Sequence, residues 1–412
     1  MKKYNQKYIK ARNKGRILRL LIEKGSMSRA AIAKELGIVR STVSESVGEL
    51  LEMSIVDEGK KITGNVGKRP TLINFNKNLL YFIAVVITPY GINLAVANLI
   101  GEIIVEDIIE YPDNFTAENI LNSTVDRIKK ILKKISVTID NIAFISLGSP
   151  ETFSKKTGKI RWAPYVKDWV GIDLKAFFEK EFNIDVILKD HVKLETLGEQ
   201  WKSISKISNM IYLVITKGIG AGVVIDGKIR EGYNGYLGEI AFLPVSENIK
   251  YTDLVNQEKN LGYFESRCDI IRIRNIVEPY VRKKGFDTNL ENFDNIAELY
   301  KKDPDLKNLI NKSIIRTMAL GISTMIIIMD PQIVVINGEI VDFGQEFLEL
   351  LKAEVYKFIP FKRKIVFSKL RKKSGLYGAI KNGIDWIYFK ITNNPDLFFM
   401  KALNKKVRLE RV

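Results

Sequence analysis

Seven glycines fall within "VITKGIGAGVVIDGKIREGYNGYLGEI", Val214 to Ile240, and Gly218, Gly220 and Gly222 directly follow an apolar run. A glycine-rich turn after a strand lets main-chain N–H groups approach a phosphate closely. The spacing therefore points to phosphate chemistry or to its relic. A second reactive group, Asp190, closes the strand-like run "IDVILKD". Metal and thiol chemistry have little to draw on, because Cys268 is the single cysteine and His191 the single histidine. No disulfide can close within the chain, and one Cys with one His cannot assemble a zinc site.

The elements that must hold these groups alternate between strands and helices. Two strands flank Pro89–Gly91, and "AENILNSTVDRIKKILKKI" from Ala117 to Ile135 reads as a helix. "NIAFISLGSP" is a buried strand, "LETLGEQWKS" a helix, and "DPQIVVINGEI" a further strand and turn. Such alternation predicts an α/β architecture with ligands at strand ends. Leu79 to Gly101 contains no charged residue, but Pro89, Gly91, Asn93 and Asn98 interrupt it. It reads as a hairpin rather than a membrane span. The basic N-terminus has no apolar core behind it, unlike a signal peptide, and the chain is read as cytoplasmic.

With 412 residues the chain is long enough for two or three domains. Its net charge of +17 points to a polyanionic partner. The excess is concentrated in residues 1–70, which hold 16 Lys and Arg against 7 Asp and Glu. There the periodicity predicts a helix over Asn13 to Gly25, then a second capped by Ser28 and stopped by Gly37. A third begins at "STVSESVGELLEM". This is a helix-turn-helix, whose second helix places its first residues in the major groove. Arg40, Ser41, Thr42, Ser44 and Glu45 are the candidate base-facing residues, with Ser28 and Arg29 beside them. "IVDEGKKITGNVGKRPTLINF" adds a wing with Lys60, Lys61, Lys68 and Arg69 at its tip.

Several motifs in order resemble those of the ROK family, which comprises sugar kinases and sugar-responsive repressors. They are "IRWAPYVKDW", "ILKDHVKLETLGE", "TKGIGAGVVIDGKIREGYNGYLGEI", "DPQIVVINGEI" and "LYGAIKNG". With a winged helix in front, the chain looks like the repressor branch, which includes xylose and N-acetylglucosamine repressors. The resemblance implies a winged helix-turn-helix over 1–75, an actin-like or hexokinase-like two-lobed ROK domain over 76–395, and a basic tail over 396–412.

Family kinases resemble D-x-G-G-T at the first strand turn, where this chain has "VVITPYGI". Val86 stands at the metal-holding Asp, Thr88 and Pro89 in the glycine region, and Tyr90 at the small hydroxyl residue. A valine cannot hold metal and a proline has no N–H to donate. Asp190 stands at the catalytic base position, and Glu239 and Glu265 match sugar-binding carboxylates. Phe242 and Tyr263 occupy positions of the family's zinc ligands, and Cys268 lies outside the matching spacing. Carboxylates suit sugars because each accepts bonds from neighbouring hydroxyls, while aromatic faces cover the C–H side.

The resemblance thus implies a pocket of Asp190, His191, Glu239, Glu265 and Tyr165, with Trp162, Trp169 or Phe242 as the aromatic face. Expected partners are a palindromic operator and a free sugar, with the protein a homodimer (a tetramer left open) and neither metal nor cofactor bound. The competing expectation is an active sugar kinase with a DNA-binding appendage.

Overall fold

The computed structural model describes residues 6–61, 70–88, 91–111, 116–150, 152–161, 163, 167–245, 255–256 and 261–400. Lys68, Arg69, Pro89, Tyr90, Trp162 and Tyr165 lie outside them. The chain opens with α1 (Gln6–Lys24), β1 (Met27–Ser28), α2 (Arg29–Leu36), α3 (Arg40–Glu52), β2 (Val56–Lys61) and β3 (Thr71–Phe75). The three strands form one sheet in the order β1-β3-β2, which is the wing. Ser28 caps α2 as the sequence requires, its hydroxyl accepting from the Ala31 N–H at 3.2 Å. Gly37 ends α2 in the left-handed region at φ 64°.

Helix α1 starts at Gln6, earlier than Asn13, and Lys10 in the added turns pairs with Glu45 of α3 at 2.5 Å. Lys14 is only 5% exposed and pairs with Glu49 of α3 at 2.9 Å and with Asp396.

Two five-stranded sheets follow. The first holds β4 (Tyr81–Thr88), β5 (Gly91–Asn98), β6 (Ile103–Glu110), β7 (Ile142–Ser149) and β8 (Asp185–Asp190), in the order β6-β5-β4-β7-β8. The second holds β9 (Met210–Ile215), β10 (Ile219–Ile225), β11 (Lys228–Arg230), β14 (Ile333–Gly338) and β15 (Lys364–Phe367), in the order β11-β10-β9-β14-β15. Between them in the chain, β12 (Val255–Asn256) and β13 (Leu261–Gly262) pair as a small ribbon. Both large sheets share one pattern: three antiparallel strands from consecutive hairpins, with two parallel strands added beside the first. The charge-free run Leu79 to Gly101 is thus a hairpin of the first sheet, paired from Tyr81–Asn98 to Thr88–Gly91.

Helices α4 (Ala117–Lys134) and α5 (Leu174–Phe182) cover one face of the first sheet. Helices α7 (Tyr263–Cys268), α8 (Ile270–Lys284), α9 (Phe293–Lys302), α10 (Pro304–Met329) and α11 (Gln345–Phe358) build the second lobe's core. By length and apolarity α10 could cross a membrane, but Leu306, Ile310, Ile314, Met318, Ile322 and Ile326 are buried in that core.

Helix α6 (His191–Lys202) leaves the first sheet and packs on the second, Val192 joining Tyr212, Val214 and Val335. Helix α12 (Ser374–Asn393) does the reverse, with Ile380 and Ile384 in one cluster with Phe82 and Phe144. The two helices cross in contact. A Cβ on Gly198 would sit 2.0 Å from Ser374 O, and one on Gly378 would sit 1.7 Å from Leu194 O.

The far end of α12 carries the winged helix. A Cβ on Gly15 of α1 would lie 2.5 Å from Ile391 O, and Ile17, Leu18 and Ile391 share one buried cluster. Residues 396–400, placed by sequence at the start of a basic tail, instead belong to a helix over 395–400, with Phe398 and Phe399 buried in that cluster. Residues 401–412 lie outside the described part.

Gly378→Ala is expected to cost about 2 kcal/mol or more through overpacking. Gly48→Ala, at a helical position of α3 with nothing within 4 Å, should gain about 0.5–1 kcal/mol. Urea midpoints of the two variants check the contrast, and equal midpoints would mean that the crossing yields freely.

Candidate functional site

The carboxyl ends of the first sheet's parallel strands converge on the cleft between the lobes. Val86, Gly148 and Lys189 stand in register across β4, β7 and β8, with Ser149 opposite Asp190 one step further. Asp190 ends β8 and caps α6, one oxygen accepting from the Lys193 N–H at 3.2 Å. His191 opens the helix, its Nδ1 3.1 Å from Ser149 O. Glu239 arrives from the second lobe and accepts from the Thr152 hydroxyl at 2.9 Å, which ties the lobes together. Asp190, His191, Glu239 and Glu265 line one cleft with Thr152, Lys193 and Thr216.

Glu265 is 4% exposed and serves largely as a scaffold. Its two oxygens accept main-chain N–H groups, from Ile219 at 3.2 Å and Gly262 at 3.4 Å. Among the aromatics, Trp169 is 2% exposed in the first lobe's core with Leu174 and Phe178, away from the cleft. It is therefore not a sugar-facing ring. Tyr165 and Trp162 fall outside the described residues.

Burial raises the Glu239 carboxyl above its usual range, and the neighbouring Asp190 charge adds to the shift. Opposite behaviour appears at Glu231, which the sequence reading overlooked. Its partial burial works against ionisation, but Lys155 at 2.5 Å and Lys189 at 2.7 Å outweigh it and hold the carboxyl at about 2.

Lys193 and Glu195 were also missed. Both lie on α6 just after Asp190, and the only sequence signal was charge on a helix that the lobes must bury. Lys193 is 7% exposed and donates to Gly235 O at 2.8 Å. Glu195 accepts from Asn337 at 2.9 Å, and burial raises its carboxyl.

The glycine run divides: Gly218 and Gly220 line the cleft, while Gly222 is packed against α6. A Cβ on Gly222 would strike the Thr196 hydroxyl at 1.7 Å, and one on Gly220 would press on Val192 at 3.2 Å. These glycines let α6 lie flat on β10. Across the cleft Val86 is fully buried, and its methyl lies 3.1 Å from where a Gly148 Cβ would be and 3.2 Å from that of Gly375. A valine fills the place of a metal-holding carboxylate. Among the described residues, no group of three His, Cys, Asp or Glu converges to hold a metal.

The candidate DNA-facing surface is open. Arg40, Ser41, Ser44 and Glu45 are exposed on the first turns of α3, with Thr42 half-buried between them. Val39 before them is 72% exposed and makes no side-chain cap. Glu45 pairs with Lys10 of α1 at 2.5 Å, and Arg29 pairs with Glu58 of the wing at 3.0 Å. Ser28 is spent on its helix cap.

Asp269 caps α8 beside the cleft wall, and burial pushes its carboxyl up to about 7. Its unfolded value is about 3.9, so between about pH 4 and 7 the folded chain binds more protons. Stability is expected to fall as pH rises through that window and then level off. Asp269→Asn keeps the cap and should flatten the slope, measured as urea midpoint against pH. An unchanged slope would assign it to other groups.

A winged helix-turn-helix DNA-binding model matches residues 11–57, and the ROK family model matches residues 83–382. The xylose repressor of Caldicellulosiruptor bescii is 27% identical over 389 residues, spanning 91% of this chain and 96% of that protein. A ROK family transcriptional regulator described as a homologue of the E. coli MLC protein superposes with a TM-score of 0.73 at 19% identity. It covers 96% of this chain and all of its own. A ROK glucokinase from Streptomyces griseus, solved with glucose and AMPPNP, gives 0.62 at 17% identity, covering 73% of this chain and 98% of its own. These two likenesses establish the fold: a winged helix followed by a hexokinase-like body. With its model spanning well over half of the sequence, the protein belongs to the ROK family.

Proposed function

We propose that the chain is a transcriptional repressor of carbohydrate-utilisation genes, acting as a two-fold dimer on a roughly palindromic operator. A free sugar in the carboxylate cleft is its effector, and it transfers no phosphate from ATP. One observation carries the reading. Helix α6 begins at Asp190 and His191 in the cleft, crosses α12 in backbone contact, and α12 ends against α1 of the winged helix. A ligand at the start of α6 therefore touches an element packed directly on the one that carries the DNA-binding head. Coupling requires the sugar to prefer one arrangement of these helices, since affinity alone shifts nothing.

The loss of phosphate chemistry is supported by Val86 in place of a carboxylate and by Gly222, which is occupied with helix packing. Retention of Asp190 at the end of β8 is what an active kinase would also need. The decisive experiment is fluorescence anisotropy on DNA from upstream of the protein's own gene, at fixed salt because phosphate contacts depend steeply on it. A single sugar type is expected to change DNA affinity about 5- to 150-fold, and DNA to change sugar affinity by the same factor. Asp190→Asn should abolish the response while leaving sugar-free DNA binding intact. ATP-dependent sugar phosphorylation that this substitution removes would establish the kinase instead.

Specificity on the DNA side rests partly on Val39. An exposed apolar side chain at the groove-facing end of α3 matches the C5-methyl of thymine. Val39→Ser is expected to weaken operator binding by about 1 kcal/mol. Replacing the contacted thymines by deoxyuridine should weaken the wild type alike and leave the variant unmoved. Independent losses from the two changes would place Val39 off the bases.

A further inference from the structure

The carboxylate cleft does not end at Asp190. Beside the cleft, whose free space is about 100 Å³, lies a second and wider cavity of about 690 Å³ on the flank of the first lobe. Thr152, Asp190 and Lys193 belong to both walls, so the two spaces share one polar partition. The wider cavity lies between residues 152–158, the first turns of α5, and β8. Its volume falls within the range of about 300–1,000 Å³ typical of sites that enclose ligands of several rings.

The lining has the chemistry of a polyhydroxyl site. Ammonium and carboxylate groups alternate around it: Lys155 and Lys189 on Glu231, and Lys175 near Glu179 at 3.7 Å. These pairs present donors and acceptors at neighbouring positions, as vicinal hydroxyls require. Phe153 and Ala176 supply apolar surface for the C–H face of a ring.

The partition adds an independent sign. Lys193 is 7% exposed, yet among the described residues its ammonium has one acceptor, Gly235 O at 2.8 Å. An ammonium carries three donors, and a buried one with capacity to spare is costly until a ligand oxygen fills it. An anionic ligand is disfavoured, because Asp190, Glu239 and Glu265 face it in the inner cleft and three of the four outer lysines, Lys155, Lys175 and Lys189, already have carboxylate partners.

We infer that the effector is a neutral saccharide of at least two rings, one in the carboxylate cleft and the next in the lysine-lined cavity, with Lys193 bonding oxygens near the linkage. The inference rests on the sugar-effector reading above and narrows it.

The test is calorimetric titration of the full-length protein with matched series: xylose, xylobiose and xylotriose, glucose and cellobiose, and N-acetylglucosamine and its β-linked dimer. Glucuronic acid serves as the acidic control. In one series the two-ring sugar is expected to bind at least about tenfold tighter than its monomer, or about 1.4 kcal/mol. Ala176→Trp and Thr157→Trp, both at exposed positions on the outer cavity's lining, should each remove that gain and leave the monomer's Kd unchanged. Unaltered thermal melts would show that the variants fold. Equal affinity for monomer and dimer, tighter binding of the acid, or tryptophan variants that keep the gain would overturn the two-ring inference and leave the sugar-effector reading standing. Failure of every saccharide to bind would overturn both.

Discussion

The structure depends on two helices whose backbones touch. Gly198 of α6 and Gly378 of α12 each face main-chain atoms of the other helix closer than any side chain could tolerate. Such a crossing cannot be improved by larger residues, and it leaves no side-chain layer to absorb displacement. Helix α6 starts in the ligand cleft and α12 finishes beneath the winged helix, so both ends of the molecule meet through this contact. Packed interfaces of this kind respond to a ligand by changing between discrete arrangements rather than by bending gradually.

Polar groups fix the register of α6 where the glycines fix its distance. Along its length Asp190 caps the helix, Lys193 bonds Gly235 O, Glu195 bonds Asn337, and Glu199 bonds Ser368 at 2.6 Å. Each partner lies on a different element, and three of the four belong to the second lobe or its connections. Buried charged groups are poor sources of net stability, but leaving one unpaired is severe. A helix carrying two of them, Lys193 and Glu199, with Asp190 and Glu195 half-buried beside them, can therefore sit only where these are satisfied. The cost of that seam has bought a defined position for Asp190 and His191 at its head.

Local signals in the sequence survived folding wherever the relevant partners were near in the chain. The Ser28 cap, the Gly37 stop, the wing and Asp190 at a strand end are all written within a few residues of themselves. What escaped was set by distant partners. Helix α1 begins early, in turns where Lys10 meets Glu45 of α3, and residues 395–400 dock as a helix because Phe398 and Phe399 find the same core. The glycine run announced close approach correctly, and part of that approach is to Thr196 and Val192 of α6. Trp169 shows the converse, an aromatic near a sugar motif that turned inward to fill the first lobe.

The repeated strand order of the two sheets explains why one ligand site can reach both lobes. In each half, the helix after the fifth strand does not return to its own sheet. Helix α6 leaves the first sheet to lie on β10 of the second, and α12 leaves the second to lie against Phe82 and Phe144 of the first. The lobes are thus interlocked by exchanged helices as well as joined by a cleft. The winged helix adds its core residues Ile17, Leu18 and Leu50 to the cluster that α12 forms on the first lobe. A rearrangement at Asp190 acts on α6, α6 bears on α12 through Gly198 and Gly378, and α12 is itself part of the winged helix's core. The DNA-binding head is therefore joined to the cleft by continuous packing, because the element that holds it belongs to the far lobe.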